Sequence, residues 1–159
     1  MSETPPPYGA PPPDGAPPPY GAPPPPGGHP PYPPGPGMQP NDERTWAGAA
    51  HWSALVAAFV ALAFLGPLVV MIARGNQSAY VRHHAVESLN FQLSVLIYGF
   101  AGGMLAVVGA IATLGLALLL IIPLALAFAA SWLVVTIIAA VKAGNGEDYR
   151  YPLTIRMVT

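Results

Sequence analysis

No cysteine occurs in the 159 residues, which excludes disulfides, thiolate metal sites and a cysteine nucleophile. Charge is scarce too. Charged residues make up 8% of the chain, against roughly 25% in a soluble domain, so water is a poor solvent for most of this surface. The formal net charge of −1 leaves no basic excess to hold nucleic acid. The start, MSETPPPYGAPPP, has neither the basic residues nor the apolar core of a cleavable signal, so insertion into a membrane is expected to use the first internal apolar segment. GxSxG, HExxH, triad spacings and paired carboxylates are missing from the apolar region. No enzymatic reaction and no cofactor are expected.

What is present falls into two parts. Residues 1–40 hold 19 of the 22 prolines and repeat a hexapeptide: PPPYGA at 5–10, PPPDGA at 11–16, PPPYGA at 17–22, then PPPPGG at 23–28. Proline removes backbone donors and fixes φ, so neither helix nor sheet propagates. A disordered polyproline II tail with glycine hinges is predicted. Tyr8, Tyr20 and Tyr32 are where a polyproline-reading partner would dock, and a plain spacer has the same composition.

Beyond the tail, Asn41 or Asp42 can cap a helix, and Ala47 to Ala73 carries no formal charge if His51 is neutral. At about 1.5 Å per residue this stretch outruns a hydrocarbon core of about 30 Å. Gly66-Pro67 interrupts it, so either one kinked helix spans or two arms meet at a break and return. Phe91 to Val141 is free of charge and must fold into two spans, with a turn between Thr113 and Pro123 and with Gly115 and Pro123 as breakers. The prediction for residues 41–159 is an all-α polytopic membrane bundle. It has three spans, or four helical segments with a broken first one, near 45–73, 88–113 and 117–142. An interfacial segment at 147–159 follows, with Arg150 and Arg156 near lipid phosphates.

The basic residues are Arg44, Arg74, Arg82, Lys142, Arg150 and Arg156, and the turn between the long spans has none. The basic face is expected to be cytoplasmic, placing the C-terminus inside an inner or plasma membrane. Trp46, Trp52, Tyr149 and Tyr151 fit an aromatic belt, and Trp132 fits packing between helices.

Polar groups are costly in lipid, and each needs a partner. His83, Glu87, Asn90, Ser94 and Tyr98 are spaced 4, 3, 4 and 4 apart, on one helical face. Gln92 lies beside them, and His51 and Ser53 offer partners from the first segment. Three readings fit this stripe: hydrogen bonding between helices, a polar path for an ion or small solute, or a metal held by His51, Glu87 and either His83 or His84. Gly99 and Gly103, with Gly109 and Thr113, give small-residue spacing that lets helices approach closely, within one chain or between copies.

Three blocks, RTWAGAAHWSAL (44–55), YVRHHAVESLNFQ (80–92) and AVKAGNGEDYRYPLTIR (140–156), resemble a family of small bacterial membrane proteins of unknown function. That family is related to the Tic-twenty-like subunit of the chloroplast inner-envelope import machinery. The resemblance implies a bundle of three or four helical segments and no enzymatic activity. The expected role is a scaffold or accessory component in membrane protein translocation or assembly. The alternative is a small oligomeric channel or transporter. The expected partners are the lipid bilayer, further copies or other membrane proteins.

Overall fold

The computed structural model describes residues 38–58 and 62–159. The expectations for the proline-rich tail, with Tyr8, Tyr20 and Tyr32, lie outside the described residues. Four helices follow in order: α1 Pro40–Ala58, α2 Leu65–Arg74, α3 Ala79–Ala112 and α4 Leu118–Gly144. No strand occurs among the described residues.

Helix α1 starts at Pro40, ahead of the expected caps Asn41 and Asp42, because proline's fixed φ and missing N–H suit a first turn. Asp42 and Glu43 then lie at its positive end. The first apolar stretch folds back on itself. Val70 of α2 packs on Ala49 and Ala50 of α1, and the Arg74 guanidinium lies 4.7 Å from the centre of the Trp46 ring. Of the two arrangements predicted, the chain therefore takes the four-segment one rather than three spans. Gly66-Pro67 is not the break itself. It occupies the first turn of α2, where Pro67 has no helical hydrogen bond to lose. Gly66 is required for a separate reason: a Cβ there would run into the Ser53 carbonyl.

Ser78 caps α3 by accepting from the Val81 N–H. Two helices, α3 with 34 residues and α4 with 27, are long and apolar enough to cross a membrane. They are joined at residues 113–117, where Leu114 and Gly115 adopt φ of 52° and 91°. Thr113 ties the turn, accepting from Ala117 N–H at 2.9 Å and donating to the Gly109 carbonyl at 2.7 Å. Pro123, predicted as a breaker, stays within α4.

The core sits at the end of the molecule away from this turn. There α1 and α2 pack against the first half of α3 and the last turns of α4. Gly48 brings α1 so close to α4 that a Cβ would lie 3.3 Å from the Ala140 carbonyl. Ala47, Tyr80 and Ala143 form one buried cluster, and Phe91, Ala139 and Tyr151 another. The outer halves of α3 and α4 expose Phe100, Leu105, Ile111 and Leu119. All six basic residues gather at the core end, on α1, α2, α3, α4 and the segment after α4.

Candidate functional site

All five stripe residues on α3 face the segment that follows α4. This segment leaves α4 through Gly146, at φ 85°, where Tyr80 Oη donates to the Ala143 carbonyl at 2.8 Å. It then reverses at Leu153, a non-glycine residue at φ 55°, and runs antiparallel to α3. Tyr98 Oη donates to the Leu153 carbonyl at 2.9 Å, and Ser94 Oγ accepts from Ile155 N–H at 2.9 Å. Asn90 Oδ1 accepts from Met157 N–H at 2.9 Å and Val158 N–H at 2.7 Å, while Nδ2 donates to the Val158 carbonyl at 2.8 Å.

The register has a geometric cause. Four helical residues advance about 6 Å and two extended residues about 6.6 Å, so side chains at 90, 94 and 98 meet every second residue of an extended chain. An extended segment with no neighbouring strand would leave its backbone half-satisfied, and here α3 side chains supply the partners a strand would have given. Arg156 is corrected from a phosphate contact to an ion pair with buried Glu87, at 3.2 Å. Arg82 closes the row by donating to the Thr159 carbonyl at 3.0 Å.

A second cluster lies beneath this row. His51 on α1 and His84 on α3 are both fully buried, with His51 Nε2 2.9 Å from His84 Nδ1. His51 Nδ1 is 3.0 Å from Tyr151 Oη. Asp148 Oδ1 lies 3.9 Å from His84 Nε2 and 3.6 Å from His83 Nε2. His84 Nε2 makes no hydrogen bond among the described residues, and which nitrogen of each ring donates along Tyr151, His51 and His84 depends on the tautomers. Tyr151 stacks on Phe91 at 3.9 Å between ring centres, and burial pushes its hydroxyl pKa above the ordinary tyrosine value. Tyr151 is thus a core residue that links the three elements, not a member of an interfacial belt.

The remaining predicted residues fall elsewhere. Gln92 is buried and accepts from Trp132 Nε1 at 2.8 Å. Ser53 is half-buried on α1 against the start of α2. His83 faces Asp148 and not His51. The histidine that meets His51 is His84, one position off the stripe. A methyl group added at Gly99 or Gly103 would meet nothing within 4 Å, and one at Gly109 would only touch Ala117 and Ile121 at 3.9 Å. Helices α3 and α4 therefore do not use this face for close approach within one chain.

Among the described residues no group of three His, Asp or Glu side chains is placed to hold a metal. His51 and His84 spend their facing nitrogens on each other. Tyr151, Asp148 and Tyr80 were not expected as site residues. Tyr149 and Tyr151 stand two apart with different burial, and only contacts across the fold separate them.

The family model described as the magnetosome magnetite crystal formation protein family (MamF/MmsF) matches residues 42–158. No curated protein and no solved structure matches the chain. The match covers all three blocks from which the Tic-twenty-like kinship was expected, and it assigns them to a different family; the expected scaffold or accessory role in membrane protein translocation or assembly is left without support. The chain belongs to the magnetosome magnetite crystal formation protein family.

Proposed function

We propose that the chain is a non-enzymatic integral membrane protein, anchored by the α3–α4 hairpin, that acts as a structural component of the membrane at which magnetite crystals form. The observation that carries this reading is how polar groups are distributed. Between Gly99 and Ser131 the only polar side chains are Thr113 and Ser131, and both donate to carbonyls of the preceding helical turn. The hairpin therefore offers hydrocarbon an apolar surface and offers a solute no polar lining. The polar stripe that could have begun a path is occupied by main-chain groups of residues 153–158. The six basic residues at the opposite end favour a cytoplasmic location for the core and the C-terminus.

Purified chain in liposomes is expected to conduct no more ions than protein-free vesicles. In a magnetite-forming cell deprived of its own family member, the chain restores crystal size and number. Conductance abolished by Asn90→Leu would replace the scaffold reading with a channel.

A further inference from the structure

Helices α1 and α2 are short beside α3. Ala47 on α1 packs with Tyr80 on α3 and Ala143 on α4, and one turn further on His51 meets His84, so α1 climbs alongside α3 from a common base. At about 1.5 Å per residue it rises about 16 Å from Ala47 to Ala58, while α3 rises about 48 Å from Tyr80 to Ala112. Helix α2 returns over about 15 Å and brings Arg74 back to Trp46 near the base. The last 32 Å or so of α3, roughly a full hydrocarbon core of about 30 Å, runs beside α4 alone. The molecule is thus wide at its base and narrow at its tip. Four helices and the clasped C-terminal segment share one level, and two helices make up the other.

The wide level is apolar on its outside. Trp52 and Val56 on α1, and Val69 and Ile72 on α2, are each more than half exposed. Trp52, Val56 and Val69 border one shared depression, so the two helices present a single face. No charged residue occurs between Arg44 and Arg74. Phe64, just before α2, borders a groove with Leu96 and Phe100 of α3, which carries this face on into the outer surface of the hairpin. Its occupant is therefore the one that surrounds the hairpin, namely lipid. With the hairpin filling the hydrocarbon, α1 and α2 stand where headgroups meet acyl chains. Tryptophan favours that boundary, and amphipathic helices bury their apolar side about 5–10 Å into it. We infer that α1 and α2 insert among the lipids of the one leaflet that holds the base, making the molecule a wedge that favours membrane curved with that leaflet convex. Two added helices, each about 10 Å across, widen this leaflet and have no counterpart in the other. The wedge rests on the hairpin topology proposed above and adds to the anchor a preference for membrane shape.

Narrow tubes drawn outward from giant vesicles of phosphatidylcholine and phosphatidylglycerol test the wedge with full-length chain. Reconstitution gives both orientations, and each can be read by itself. Thr159→Cys, labelled from outside with an impermeant fluorophore, marks copies whose base lies in the outer, convex leaflet. Leu114→Cys, 97% exposed at the hairpin tip and labelled the same way, marks copies turned the other way. The first population is expected to be enriched in the tube over the vesicle, with a ratio that grows above unity as the tube narrows. The second is expected to be depleted, with a ratio below unity. Val56→Asn, Val69→Asn and Ile72→Asn together change only exposed side chains. They are expected to leave the melting temperature in detergent unchanged and to bring both ratios toward unity. Ratios of unity for both populations, deviations of the same sign, or ratios unaltered by the triple substitution overturn the wedge. Reaction of both cysteines from one side of the membrane would remove the topology and the wedge together. Unit ratios with the two positions on opposite sides remove the wedge alone.

Discussion

The carboxamide of Asn90 pairs with Val158 as one peptide group pairs with another, accepting from its N–H at 2.7 Å and donating to its carbonyl at 2.8 Å. A side chain in the middle of a helix thus performs the task of a neighbouring strand and fixes the end of the chain along α3.

Asn90→Leu removes this pairing and leaves main-chain groups of Met157 and Val158 without partners. With a net of about 1 kcal/mol per hydrogen bond and more for stranded groups, a loss of about 2–4 kcal/mol is expected. Hydrogen exchange should show residues 153–159 exchanging faster while α1 and α2 keep their protection. Unchanged exchange at 153–159 would show that the segment is held by something else.

His51→Phe keeps the ring volume but deprives Tyr151 and His84 of their partner, and a loss of about 2–4 kcal/mol follows from two stranded groups in the core. The His51 and His84 substitutions should be non-additive by about 0.5–3 kcal/mol in a double-mutant cycle, since they share one hydrogen bond. Additive losses would contradict the pairing seen at 2.9 Å.

Tyr151 gives a pH dependence with a definite sign. Burial raises its pKa in the folded chain, so its neutral form is the one the fold favours. The stability this contributes is complete below the ordinary tyrosine value of about 10 and falls as pH rises above it. The phenolate absorbance of Tyr151, taken as native minus Tyr151→Phe, should appear only well above that pH. Titration at the ordinary value would place Tyr151 in solvent.

Gly66→Ala tests the folding back of the first apolar stretch. The added methyl collides with the Ser53 carbonyl, backbone that cannot yield, and overpacking of this kind costs about 1–3 kcal/mol. Gly103→Ala, with nothing within 4 Å, should leave the melting temperature unchanged in detergent. Equal effects at the two glycines would contradict the described packing.

Much of this fold was legible before the structure, and the reasons are physical. Long apolar runs have few alternatives, so α3 and α4 and the turn at Gly115 followed from length and charge. The stripe followed from spacing, since residues 87, 90, 94 and 98 share a helical face wherever the helix goes. Its partner was not legible, because main-chain N–H and C=O groups of residues 153–158 look alike in any sequence. The choice of His84 over His83 was equally hidden. Both lie near the same face, and only the position of α1 decides which ring meets His51. The family was misjudged from three short blocks, whereas the family match spans residues 42–158.

The most direct measurement uses the absence of native cysteine. Single cysteines at Leu114, which is 97% exposed at the tip of the hairpin, and at Thr159, at the clasped end of the chain, can be probed in sealed membranes with an impermeant thiol reagent. The two positions should react from opposite sides, Leu114→Cys from the non-cytoplasmic face and Thr159→Cys from the cytoplasmic one. Reaction of both from the same side, or recovery of the chain with soluble protein, would contradict a hairpin that crosses the bilayer.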